Sequence, residues 1–420
     1  MADYEARLLS GADQRPRVGA ATTRARAGAV ADPGVQAPAR ARPRAAAGAR
    51  SESPAQRAAR LRRRRIAVLA ALLALADATV SLAGAIVQPS NVGIGVRAVE
   101  WMRDNGAAGV VSEVEAAYYS LTAPATGGPA LKALPAVGVG GTVAPITYRP
   151  PAITPVISPW LPGEGQWQST GPLVRGAPAI LVTTFRPDPS YPRMVAGVAW
   201  IDASRAWLQL YPGRYEPPNA GSVAAEVPPQ LHGRLLATFN SGFKLEDDDG
   251  GFVALRHVYA PLRDGQATLL RYGDGTADVR TWTGGPDPGP TVEFARQNLP
   301  LIVSGGQLNP DLGDGPQWGA TLGSAVRVWR SGIGVDARGN LIYAAADDQT
   351  ATSLAQILQR AGAVRAMELD INSEWVTFNF YGAFGAGDPQ KLLPGMTRDA
   401  TRYLTPDDRD FFAVYARNGG

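Results

Sequence analysis

Residues 342–373 read IYAAADDQTATSLAQILQRAGAVRAMELDINS, and the order of patterns in this stretch decides the fold class. An apolar strand, Leu341 to Ala346, runs out at Asp347. Thr352 or Ser353 then caps a helix from Ser353 to Ala361, whose Leu354, Ile357, Leu358 and Ala361 form one apolar stripe, and Gly362 ends it. A second strand follows from Val364 to Asp370. Glu368 and Asp370 stand at i and i+2 on it, so both project from one face, about 6.5–7 Å apart, while Met367 and Leu369 point into the core. Two acids sheltered that close split their pKa values, which suits acid/base work. The same spacing also fits strand-end caps or ion-pair partners of Arg330 or Arg365, and Glu374 is near enough in sequence to join them.

Upstream, the segment WRSGIGVDARGNL (329–341) offers Arg330 beside the glycine-rich strand containing Gly332 and Gly334. A guanidinium donates two parallel hydrogen bonds to a phosphate or carboxylate, and equally forms structural ion pairs. Earlier still, ATFNSGFK (237–244) places Asn240 at another strand end, followed by Gly242, which lets backbone approach a ligand or simply turns. The segment IVSGGQLNPDLGDG (302–315) adds Gly305 and Gly306 and a flexible loop, with Trp282 and Trp318 as candidates for stacking or for core. These stretches are expected to converge on one polar cleft.

Around them, from Ala179 onward, short β-type runs alternate with turn signals such as Asp264-Gly265, Asp274-Gly275 and Arg338-Gly339-Asn340. Gly (48) and Pro (35) are abundant enough to argue against a helical bundle. The expected class is α+β: a largely antiparallel sheet domain with a few packed helices, one over 353–361 and a shorter one over 287–298, and a closing strand in DRDFFAVYARNGG.

The N-terminal part reads differently. Residues 1–65 hold 15 Arg, no Lys and 5 acidic residues, a balance of +10, whereas the remaining 355 hold 26 basic and 32 acidic groups. Positive charge is thus confined to an Ala/Arg/Pro-rich tail too poor in apolar residues to fold, and nucleic acid is not the expected partner. After Arg62–Arg65 comes IAVLAALLALADATVSLAGAIV, Ile66 to Val87, 22 residues with one charge, Asp77. That length crosses a ~30 Å hydrocarbon core. The flanking arginines place the N-terminus in the cytoplasm and the C-terminal domain outside. Asp77 costs about 2.5–3.5 kcal/mol on insertion scales. A buried helix or a cleaved signal peptide fits the same run, though 65 residues of lead-in is long for a signal peptide. The expected organisation is a disordered cytoplasmic tail (1–65), a single transmembrane helix (66–87), a juxtamembrane helix and Pro/Gly-rich stalk (88–178), and the folded domain (179–420).

The residue inventory excludes several chemistries. Cysteine is absent and there are two histidines, His232 and His257, so multi-ligand zinc sites have no donors. There is no P-loop, no complete dinucleotide fingerprint and no nucleophile elbow. Glu246–Gly251 resembles a calcium loop in composition alone and reads better as a solvated loop tip, so no cofactor is expected, with a divalent cation such as calcium left as an alternative that no clear motif supports.

The order Asn240-Ser241-Gly242-Phe243, then Ser304-Gly305-Gly306, then Arg330–Asp336, then the 353–361 helix, then Ala366–Asp370 resembles the phosphodiester glycosidase family. The chain looks like a divergent, membrane-anchored member of actinobacterial type, the match covering about residues 180–417. In this chain Ser241 stands for a family glycine, Lys244 for a phenylalanine, Glu368 for an asparagine, and Ile371-Asn372 for glycines after Asp370. The resemblance implies an extracytoplasmic hydrolase of a glycosidic or sugar-1-phosphate linkage in an envelope glycan. Asp370 would be nucleophile or base, with Asn240, Arg330, Gly242, Gly305, Gly306, Asn372 and Ser373 contacting a carbohydrate or sugar-phosphate ligand. Local geometry adds Glu368 as general acid. The alternative is a non-catalytic envelope protein that binds glycan in the same cleft.

Overall fold

The structure, a computed structural model, describes residues 53–138, 149–220, 225–313, 315–319 and 327–417. The expected disordered tail falls outside the described residues up to position 52. Its last part is helical: one helix runs Pro54–Val87. Alanine and arginine favour helix strongly enough to carry the apolar span back through the arginine run. This helix is long and apolar enough to cross a membrane, and the apolar window is fully exposed.

Contacts divide the chain into 1–71 and 72–420. In the second unit three sheets are antiparallel throughout the described residues; seven of their fifteen strand pairings are hairpins and the other eight join strands distant in sequence. The largest has eight strands in the order Gln168–Val174, Ala177–Phe185, Ala196–Ile201, Leu341–Gln349, Val328–Val335, Arg365–Glu368, Val303–Ser304 and Gln307–Leu308. A five-stranded sheet orders Gly387–Lys391, Phe378–Ala383, Leu235–Asn240, Phe411–Ala416 and Ala206–Tyr211. The other orders His257–Ala260, Phe252–Ala254, Val292–Asn298, Ala267–Tyr272 and Ala277–Thr281. The fold is therefore α+β and mostly antiparallel. One core joins the sheets through Phe239, Phe294, Tyr343, Met367 and Phe412, all buried.

The helix Ala351–Arg360 is capped by Thr350, whose side chain accepts from Ser353 N at 3.1 Å while Ser353 Oγ accepts from Thr350 N at 2.9 Å. Its Leu354 and Leu358 lie over the large sheet where glycine leaves room for them. A Cβ on Gly332 would sit 2.8 Å from Leu358 Cδ1, and one on Gly334 would sit 2.7 Å from the Arg365 carbonyl. These glycines serve close packing between helix and strands. Gly334→Ala is expected to destabilise by about 1–3 kcal/mol through overpacking, read as a lower midpoint in thermal unfolding; an unchanged midpoint would refute the account.

Two expectations are corrected. Residues 292–298 form a strand, because the segment pairs along its length with Ala267–Tyr272 and, at Ala295 and Arg296, with Phe252–Ala254. The folded domain also begins before residue 179. Gln168–Val174 is its edge strand, and Ile153 and Trp167 are buried in one core cluster with Leu181 and Phe185. Glu164, in the Pro/Gly-rich segment, forms a buried ion pair with Arg186 at 2.7 Å, and hydrogen bonds from Arg186 and Leu161 outweigh burial to hold its carboxyl low. Beyond the apolar helix lie two shorter helices, Ile94–Met102 and Ala108–Thr122.

Candidate functional site

Asp370 lies where two sheets meet. Gly332 pairs with Glu368 in the large sheet, and beyond it Leu369 N donates to Ser331 O at 2.8 Å. Asp370 N then crosses to Ser241 O, 3.0 Å away at the end of Leu235–Asn240. Asn240 Nδ2 donates to Ser331 Oγ (2.9 Å), and Ser331 Oγ donates to the Asp370 carbonyl (2.8 Å). The three stretches singled out in the sequence therefore meet through hydrogen bonds among Asn240, Ser331 and Asp370, while neither Asn240 nor any residue of 329–341 lines the cavity beside Asp370.

The carboxylate of Asp370 faces a cavity of about 280 Å³, shared with Lys244, Asp248, Asn372 and Arg409 and roofed by Glu100 and Tyr119 of the two juxtamembrane helices. Asp370 Oδ1 accepts from Asn372 N at 3.0 Å, and Oδ2 accepts from Arg409 Nη2 at 3.0 Å. Burial pushes the Asp370 carboxyl up, and Arg409 opposes it. Arg409 also donates to Gly242 O at 3.1 Å and lies 5.3 Å from the centre of the Trp375 ring. Gly242 and Asn372 thus shape the site through backbone. Ser373 is half-buried and follows Asn372 of the cavity wall.

Other expected site residues sit elsewhere. Glu368 is fully buried and outside the cavity wall. Its Oε1 accepts from Arg330 Nη1 at 2.5 Å, and burial raises its pKa against that guanidinium. Arg330 is itself buried, donating further to Gln349 O (3.0 Å) and Trp318 O (2.9 Å). Asn240 Oδ1 accepts from Tyr343 Oη and Thr377 N at 2.9 and 3.0 Å, so its side chain is saturated by the fold. Gly305 and Gly306 form the turn between Val303–Ser304 and Gln307–Leu308. Ser304 pairs with Arg365, five residues before Asp370. At ~3.3 Å per residue the turn lies about 16 Å along the strand from the site. Trp318 and Trp282 are core, their indoles donating to Asp311 O and Gly285 O.

Three residues carry signals that the sequence reading passed over. Arg409 lies in Asp407-Asp408-Arg409-Asp410, four charges set directly before the wholly apolar strand Phe411–Ala416, which was the available clue. Asp248 belongs to the acidic run read as a solvated tip, yet it is buried and lines the cavity. Burial pushes its pKa up to about 7, with Arg296, 3.8 Å away, opposing. The Gly250-Gly251 pair after it was the clue: a Cβ on Gly250 would lie 3.0 Å from Asp248 Oδ2. Lys244 pairs with Glu100 of the roof and stands 3.7 Å from Asp104. Burial works against the Glu100 carboxylate, but Lys244 overrides it and holds the carboxyl low.

Arg296 is fully buried and donates to Asp410 Oδ2 at 3.0 Å. Around the cavity, Ser241 Oγ, Asp248 Oδ2, Arg409 Nε, Asp410 Oδ1 and, behind, Glu368 Oε2 are buried without a hydrogen-bond partner in the protein. Each such atom costs about 1–3 kcal/mol, so this is a place where a polar ligand gains by binding. Among the described residues no group of His, Asp and Glu is arranged to hold a metal ion.

No curated protein matches the chain. Among solved structures, the zebrafish N-acetylglucosamine-1-phosphodiester alpha-N-acetylglucosaminidase catalytic domain, described as auto-inhibited by its pro-peptide, is 15% identical, covering 60% of this chain and 88% of its own at a TM-score of 0.39. A hypothetical protein from Synechocystis is 13% identical over 59% of this chain and 64% of its own, with a TM-score of 0.35. An exported protein from Burkholderia pseudomallei is 13% identical over 54% and 75%, with a TM-score of 0.34. A family model matches residues 237–370 directly, and that stretch supplies Asn240, Gly242, Asp248, Arg296, Arg330, Glu368 and Asp370. Over these residues the chain matches the phosphodiester glycosidase family.

Proposed function

We propose that the chain is a membrane-anchored, extracytoplasmic hydrolase acting on a glycosidic or sugar-1-phosphate linkage of an envelope glycan. The observation that carries the reading is a pair of carboxyl groups with different environments in one cavity, inside the family-matched stretch. Asp370 is paired with Arg409, while Asp248 is pushed to about 7 by burial. Asp248 then serves as general acid, protonating the leaving oxygen, and Asp370 as nucleophile or general base. Glu368, behind Asp370 and bound to Arg330, supports the strand that presents Asp370. Gly242, Asn372 and Ser373 shape the sugar pocket. Arg409 is the guanidinium nearest the reacting centre, a place the sequence reading gave to Arg330.

The test is turnover of chromogenic glycosyl 1-phosphodiesters by the full chain in detergent micelles. A general acid must be protonated, so kcat/KM is expected to fall as pH rises through about 7. Asp248→Asn should lower kcat/KM by roughly 10²–10⁴-fold and flatten that alkaline limb. No hydrolysis at any pH, together with saturable binding of the same compounds, would establish the non-catalytic glycan-binding alternative instead.

A further inference from the structure

The cleft has no slack between it and the apolar helix. Residues 89–92, just past Val87, are clasped by the loop that also builds the site. Asp408 accepts from Ser90, Asp407 Oδ2 accepts from Asn91 Nδ2 at 3.0 Å, and the next residue, Arg409, holds Asp370. The clasp is reinforced by Arg398 Nη2 donating to Asn91 O at 3.0 Å and Tyr215 Oη donating to Pro89 O at 3.1 Å. Arg97 donates to the carbonyls of Ala85 and Gln88 at the end of the helix, the second at 2.6 Å. Consecutive residues reach at most ~3.6 Å each, so the grip on the helix foot and the grip on Asp370 are only about one residue's length apart along the loop.

A second cavity, of about 400 Å³, occupies the same corner. Its wall includes Ala85 of the helix and Gln88 just past its end, and also Lys244, Trp375 and Arg409, which line the first cavity as well. Cations and carboxylates both face it, and Arg409 Nε is buried there without a partner. These charged groups, set beside Val92, Trp101, Tyr215 and Trp375, mark a route from the foot of the apolar helix toward Asp370 that offers an anionic headgroup both ion-pair partners and apolar wall.

We propose that the substrate is membrane-borne: a glycosyl 1-phosphate esterified to a lipid in the bilayer that the helix crosses. The lipid tail stays in the bilayer, and the sugar-phosphate headgroup enters past Ala85 and Gln88. Water cleaves the glycosidic carbon–oxygen bond. Its oxygen goes to the anomeric carbon, the departing phosphate oxygen keeps the electron pair, and the products are the free sugar and the lipid phosphate monoester. This rests on the hydrolase and membrane-anchor readings above and adds the substrate class. A site fixed at the interface meets such a substrate by diffusion in two dimensions, whereas a soluble ester must be captured from bulk.

The full chain is reconstituted in phosphatidylcholine/phosphatidylglycerol vesicles. Because the chain has no cysteine, Gln88→Cys and the distant Ala337→Cys can each carry one fluorophore. Spin-labelled lipids should quench the label at 88 and leave the label at 337 bright. An unquenched label at 88 overturns the placement of the cleft at the bilayer, and the proposal with it. In vesicles of the same lipids carrying the unlabelled parent chain, a polyprenyl glycosyl phosphodiester should be hydrolysed at least tenfold faster than the methyl ester of the same sugar phosphate. Equal rates on the two esters overturn the lipid-linked class and leave the hydrolase reading intact. No turnover of either, with the label at 88 quenched, overturns the hydrolase reading and this proposal together.

Discussion

Asp370→Asn is expected to reduce hydrolysis by roughly 10⁴-fold, the scale on which a reacting carboxylate is lost from other hydrolytic sites. The substitution keeps shape and most of the hydrogen bonding: an amide oxygen can still accept from Asn372 N, which lies 3.0 Å from Oδ1. What it removes is the negative charge opposite Arg409, and with it any capacity to attack a sugar carbon or take a proton. The stability cost should be smaller, of the order of 1–3 kcal/mol, because Arg409 keeps its bond to Gly242 O at 3.1 Å. Activity and thermal midpoint measured on one preparation separate the two effects. A folded variant with turnover within tenfold of the parent would remove Asp370 from the chemistry.

The architecture was legible wherever a pattern is local. The helix Ala351–Arg360 announced itself by its stripe, though its cap is Thr350 and not the expected Thr352 or Ser353, and Arg365–Glu368 by the apolar run after Gly362. Leu235–Asn240 and Phe411–Ala416 were visible as β-type segments between turn signals. Where a local pattern competed with pairing, it misled: Val292, Phe294 and Ala295 suit a short helix, but the partner strand Ala267–Tyr272 decided for sheet. The stalk was misjudged for a related reason. Proline-rich chain cannot form long regular elements, yet it can still be pinned by an ion pair such as Glu164–Arg186, whose members lie 22 residues apart.

The site was legible in part. Short motifs brought Asp370 beside Ser331 and Asn240 because hydrogen bonds at the strand ends join the three. Side-chain direction was harder to read. Arg330 and Ser331 are adjacent on one strand, so they project to opposite faces. Ser331 faces the Asp370 junction, and Arg330 faces Glu368 and Trp318. Arg409 could not be placed at all from spacing, because 39 residues separate it from Asp370 and only the pairing of Phe411–Ala416 with Leu235–Asn240 brings the two together.

The position of Arg330 makes the second large effect one of stability. Arg330→Ala should destabilise the domain by about 3–5 kcal/mol, because it strands the fully buried Glu368 carboxylate, whose Oε2 already lacks a hydrogen-bond partner. It also removes the donor to the Gln349 and Trp318 carbonyls, which lie 3.0 and 2.9 Å away. The double replacement Arg330→Met with Glu368→Leu tests the cause. Removing both charges of a buried pair and filling the space is often neutral or stabilising, so the double variant should recover most of the loss seen in Arg330→Ala. A residue that gripped substrate would behave differently: Arg330→Ala would leave the unfolding midpoint in urea unchanged and raise KM alone. That pattern would return Arg330 to the ligand-binding role its sequence context suggested, whereas a lowered midpoint restored by the double variant assigns the pair to the scaffold beneath Asp370.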